Sequence, residues 1–108
     1  VKGAYVTTIN LTITYPTSGA SVPGNGTFTS YGSDSVSPSQ NLTRKAWVTD
    51  SNGTTVATGT VATPPPESTW AFKFTGLSVG VPYTENVEDT AADGTTNTQS
   101  VNFSCSSP

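Results

Sequence analysis

Apolar and polar residues alternate strictly along several short stretches of this chain. Ile9, Leu11, Ile13 and Tyr15 alternate with Thr8, Asn10, Thr12 and Thr14, and Trp70, Phe72 and Phe74 alternate with Ala71, Lys73 and Thr75. A period of two marks a strand with one buried and one solvated face. Turn signals separate the runs, and no stretch carries the 3.6-residue period of a helix. The pattern predicts an all-β chain: one seven-stranded antiparallel β-sandwich occupying residues 1–108, its core about residues 6–104.

The first strand is predicted over Val6 to Tyr15 and stops at Pro16, which cannot donate to a ladder. The second covers Gly26 to Gly32 with Phe28 inward, and the Ser/Pro-rich stretch Ser33 to Asn41 reads as a loop. The third covers Leu42 to Thr49. Asp50-Ser51-Asn52-Gly53 follows as a hairpin turn, since Asn-Gly tolerates positive φ. The fourth runs from Thr54 to Val61, with Gly59 inside it as a candidate bulge. Pro64-Pro65-Pro66 marks an exposed crossover. The last three strands are Thr69 to Thr75, Tyr83 to Thr90 and Thr98 to Ser104, separated by turns at Leu77 to Gly80 and Ala92 to Gly94.

Composition narrows the function classes. Only 32% of residues are hydrophobic, so four Phe, four Tyr and two Trp must fill most of the core; each aromatic buries about 150–250 Å². Surface polarity comes from 21 Thr and 14 Ser, and Thr suits the wet face of a strand. Four basic residues are too few for a phosphate-binding patch, which argues against nucleic acid. No run is apolar enough to span a bilayer, so no membrane insertion is expected. The chain begins with Val, which suggests a module cut from a longer multidomain protein.

Common catalytic routes lack parts. There is no His, hence no imidazole base, triad or imidazole metal ligand. Cys105 is the one cysteine; in phase with Val101 and Phe103, it reads as a small buried hydrophobe. Glu88, Asp89 and Asp93 cluster near the last hairpin and are candidate calcium ligands, although their spacing matches no EF-hand loop; no other cofactor is suggested. Trp70 shares the phase of Phe72 and Phe74 and belongs in the core. Trp47 is ambiguous: either it or the Ala46/Val48 pair faces inward, and an exposed Trp47 would offer a stacking platform for a sugar ring. Five of the seven Asn residues, Asn10, Asn25, Asn41, Asn52 and Asn102, begin Asn-x-Ser/Thr triplets, a mild excess in so Thr-rich a chain.

Five stretches follow one another in order: Tyr15-Pro16-Thr17-Ser18-Gly19-Ala20-Ser21-Val22, Asp50-Ser51-Asn52-Gly53, Trp70-Ala71-Phe72-Lys73-Phe74, Gly76 through Thr84, and Asp89-Thr90-Ala91-Ala92-Asp93-Gly94. Together they resemble the bacterial immunoglobulin-like (Big-type) domains of surface and secreted proteins. Fibronectin type III domains share some of them. The resemblance covers residues 13–104 and implies an immunoglobulin-like sandwich without catalytic residues. Such a sandwich is used outside the cell or on its surface as a spacer, an adhesion element or an enzyme's accessory. Neighbouring domains of the same polypeptide, a cell-surface protein or a polysaccharide are the implied partners.

Two details follow from the resemblance. Tyr83 is either the corner tyrosine of such sandwiches or an ordinary core residue. The strand it begins departs from the family pattern, because its Tyr face continues as Glu85, Val87 and Asp89. Glu85 then points into the core, or a bulge shifts the register. A buried Glu85 needs a partner, and Lys45 is a candidate across the sandwich. By analogy with adhesin domains that carry Lys–Asn isopeptide cross-links, Lys45, Glu85 and Asn102 or Asn97 are the residues to inspect. Three functions remain: a structural or adhesion module, a carbohydrate-binding accessory, and an enzyme working with carboxylates alone. The last requires two facing acids in a cleft.

Overall fold

The computed structural model describes residues 6–61 and 69–107; the Pro64-Pro65-Pro66 crossover lies outside them. Nine strands form two sheets. They are β1 (Thr8–Tyr15), β2 (Ala20–Val22), β3 (Phe28–Ser37), β4 (Leu42–Thr49), β5 (Thr55–Thr58), β6 (Thr60–Val61), β7 (Thr69–Phe74), β8 (Tyr83–Ala91) and β9 (Thr96–Cys105). One sheet has the order β1-β3-β7-β6 and the other β2-β9-β8-β4-β5. The strand pairings among the described residues are antiparallel except the three-residue pair of β2 with β9, which is parallel. With β1, β3, β6 and β7 as strands A, B, D and E, and β4, β8 and β9 as C, F and G, this is the ABED/GFC order of an immunoglobulin sandwich. No helix occurs among the described residues.

The strands depart from expectation in three places, two of which raise their number from seven to nine. The stretch Ser33 to Ser37, expected as loop, continues β3 and pairs with β1 from Thr12 back to Thr8. The inward positions of β3 are Phe28, Ser30, Gly32, Asp34 and Val36. With Ser, Gly and Asp in three of them, the strand shows no hydrophobic alternation. The short β2, in a stretch where no strand is expected, is held at both ends. Gly19 N donates to Asn102 O (2.7 Å) and Ser106 N donates to Val22 O (2.8 Å).

The third departure lies at Gly59. The expected fourth strand divides there and changes sheets, β5 pairing with β4 and β6 with β7. Gly59 N still donates to Ala46 O (2.8 Å), so this is a crossing between layers and not a bulge. A Cβ at Gly59 would lie 3.0 Å from Phe72 Cβ and 3.1 Å from a Phe74 ring carbon, tight enough to favour the residue without one.

The core lies between the sheets around Phe28, Val48, Trp70, Phe72, Phe74, Tyr83, Val87 and Phe103. Phe28 meets Phe103 edge-on and Phe74 at a tilt, with ring centroids 5.2 and 5.6 Å apart. Trp70 reaches furthest, and its indole lies directly against the backbone of β3 at Gly32. A Cβ there would sit 2.0 Å from Thr12 O and 2.4 Å from Trp70 Cζ2. Gly32→Ala must therefore displace either the β1–β3 ladder or the indole. The expected cost is about 3 kcal/mol, measured as a drop in urea unfolding free energy; an unchanged midpoint would contradict this packing.

Candidate functional site

β8 is the strand that carries the unusual chemistry. It pairs without a break with β4 on one side and β9 on the other, so its alternation is fixed across the sheet. Tyr83, Glu85, Val87, Asp89 and Ala91 face the core. Of the two expectations for Glu85, the inward one holds.

Tyr83 opens the strand as a corner tyrosine. Its ring stacks at a tilt on Phe103, 5.8 Å between centroids, and its hydroxyl accepts the Ser78 N–H at 2.8 Å. Two residues further along strand F, antibody domains carry the second cysteine of their inter-sheet disulfide. Here that position is Glu85, and the side chain facing it from β3 is Ser30; both are 0% exposed. Ser30 Oγ instead donates to Tyr15 O at 2.9 Å, and neither Glu85 oxygen has a hydrogen-bond partner. Burial pushes the Glu85 carboxyl up to about 7, with Ser30 pulling weakly the other way. The indole that packs the centre comes from β7, as Trp70, and not from strand C.

Four residues further along, Asp89 is also 0% exposed, with neither carboxyl oxygen hydrogen-bonded. Asp34 faces it from β3, and Arg44, its register partner on β4, lies between the layers. Arg44 grips Asp34 with two parallel bonds, Nε to Oδ2 at 2.6 Å and Nη2 to Oδ1 at 2.8 Å. Burial alone would raise Asp34, but the guanidinium overrides it and holds the carboxyl below its ordinary value. Asp89 is raised to about 8, first by burial and then by the Asp34 carboxylate it faces. Arg44 neutralises one acid of the pair, and the other keeps its proton.

The other sequence candidates are dispersed. Lys45 lies on the outer face of β4, where its ammonium pairs with Glu88 at 3.2 Å. Glu85 is on the opposite side of the same sheet, so the expected Lys45–Glu85 pair does not form. Asn97 donates to Ile9 O (2.7 Å) and Asn102 accepts from the Thr84 hydroxyl (2.9 Å). Neither comes together with Lys45, so the parts of an isopeptide cross-link are not assembled. Glu88 faces out, Asp89 faces in, and Asp93 sits in the β8–β9 turn. There Asp93 accepts from Thr7 and from the Thr95 N–H, which hold it below its usual range. The expected calcium set is thus split between two faces and a turn. Among the described residues no three His, Cys, Asp or Glu side chains converge as metal ligands.

Trp47 takes the outer face, since Ala46 and Val48 are the buried pair. It stands in a row across the five-stranded sheet: Thr58, Trp47, Asn86, Ser100. Lys45 Nζ lies 5.6 Å from its ring centroid, and the Ser100 hydroxyl donates to Asn86 at 2.8 Å. Cys105 is buried, and burial raises its thiol. All five sequon asparagines are exposed, whereas Asn86 and Asn97, which head no triplet, are half-buried.

The Asp34–Arg44–Asp89 group escaped sequence reasoning because Asp34 was hidden in an apparent loop. Arg44 gave a usable signal, since it shares the phase of Ala46 and Val48. No family model matches this sequence, and no curated protein matches it. A solved structure of murine CRIg aligns with it at 15% identity and a TM-score of 0.48, covering 94% of this chain and 98% of that one. The strand order itself carries the immunoglobulin-like description.

The Tyr83–Ser78 bond joins the β7–β8 connection to the sheet. Tyr83→Phe should lower stability by about 1 kcal/mol without altering the fold, read by urea unfolding with near-UV dichroism as the control. A loss under about 0.3 kcal/mol would mean that the ring alone fixes the corner.

Proposed function

We infer that this chain is a non-catalytic extracellular module, a spacer or adhesion element that holds neighbouring domains of one polypeptide apart. One observation carries the reading. β1 begins beside the β8–β9 turn, where Thr7 contacts Asp93, and β9 ends at the other pole, where Ser106 bonds Val22 and Asn25. The chain enters and leaves at opposite ends of a body 54 Å long and 29 by 19 Å across. Domains more often bring their termini close together, and opposite exits suit units joined in series. The titratable groups with shifted chemistry support the same reading, since Glu85 and Asp89 are sealed between the sheets where no substrate reaches them.

Copies joined head to tail should lengthen by roughly 50 Å per copy in small-angle X-ray scattering, the body length setting the repeat. Linked copies that collapse to a globular envelope would remove the spacer role.

Trp47 favours a second reading, a polysaccharide-binding accessory. The row beside it offers fixed hydroxyl and amide groups, and the two charges on this face among the described residues, Lys45 and Glu88, neutralise each other. A sugar's C–H face would stack on the indole, with its hydroxyls on Asn86, Ser100 and Thr58. Retardation in gels cast with neutral polysaccharides (xylan, mannan, soluble cellulose derivatives) is the measurement. Trp47→Ala should weaken it by about tenfold, roughly 1.4 kcal/mol; no retardation on any of them, or retardation indifferent to Trp47, would dismiss this reading while leaving the spacer role intact.

A further inference from the structure

The geometry points to a proton-dependent latch between the two sheets: Glu85 and Asp89 close the sandwich as neutral acids, and loss of their protons loosens it reversibly. Three buried carboxyls, Asp34, Glu85 and Asp89, share the interior with one guanidinium. Asp34 takes both of the Arg44 bonds. That leaves two acids with no hydrogen-bond donor and no exposure to water.

The surroundings of each acid are defined on every side. Glu85 has Val48 beside it on β4 and Val101 on β9, with Ser30 facing it from β3. No cation faces it among the described residues. Asp89 has Arg44 beside it on β4, Asn97 on β9 and Asp34 facing it from β3. β1 brings Ile9 and Leu11 to the core, while Lys73 of β7 points outward. Ionising Glu85 would bury a lone charge, and ionising Asp89 would set two carboxylates against a single Arg.

The direction of the response follows from linkage. Both acids are raised in the fold, Glu85 to about 7 and Asp89 to about 8, from ordinary values of 4.5 and 3.8. The unfolded chain therefore releases these protons first as pH rises. Their stabilisation is complete below about pH 4, declines between about 4 and 8, and is gone above that. Asp34 is held low and acts in the opposite sense, losing its contribution only as pH falls through its lowered value. The domain is thus tightest in mildly acidic surroundings.

Thermal unfolding of the intact chain between pH 5 and pH 8.5, followed by circular dichroism, tests the latch. The melting temperature should fall by at least about 10 °C over this range and recover on re-acidification. The double variant Glu85→Gln, Asp89→Asn, which carries the neutral form permanently, should flatten the profile. A wild-type profile that is level or rising, or a variant with the wild-type slope, would overturn the latch. Should the variant fail to fold, carbon-13 shifts of the wild-type carboxyls decide the matter. At pH 6 both acids should still read as protonated, and ionised signals would overturn it equally.

Discussion

Everything in this fold depends on how a few large rings are accommodated by very small residues on the neighbouring strands. With so little aliphatic material, the two layers are held together by Trp70, Phe28, Phe72, Phe74 and Phe103. Rings of that size fit only where the opposing backbone is bare. Gly32 leaves room for the indole, and Gly59 leaves room for Phe72 and Phe74. The small positions are therefore as much part of the core as the aromatics. Their absence of side chain lets the rings lie flat against the strand beside them, with the ladder between β3 and β7 intact.

The same economy explains which parts of the fold were legible beforehand. β1, β4 and β7 are legible from their alternation and β8 from its position between two turns, as are the Asn52-Gly53 hairpin and the burial of Trp70 and Cys105. β3 beyond Gly32 was not, because its inward positions are occupied by residues that resemble loop composition. β2 has three residues and pairs in parallel with the far end of the chain, so no local pattern encodes it. The sheet change at Gly59 depends on Phe72 and Phe74, which are distant in sequence. Glu85 was legible as an anomaly, but its partner was misassigned: alternation places Lys45 on the wet face, one residue out of phase with Ala46. Asp89 was read as a metal ligand because its neighbours in sequence are acidic, while its neighbours in space are Asp34 and Arg44.

Antibody-type sandwiches tie their two sheets at the centre with a disulfide. This domain has one cysteine, and puts a carboxyl and a hydroxyl at the equivalent place. The polar tie between the layers is Asp34–Arg44, nearer the pole where β1 begins. A buried ion pair adds little net stability, because desolvation offsets the attraction. Here the bidentate geometry fixes how β3 and β4 sit across the core, and the aromatic packing supplies the cohesion. The corner bond of Tyr83 then sets the entry of β8 into that frame.

The crossing at Gly59 has a consequence for durability. On that side the rims of both layers belong to one short piece of chain, β5 running into β6. Melting or cutting it strips the last strand from the two sheets simultaneously, exposing fresh edges on each. Unravelling that begins at this rim is shared by both layers from its first step.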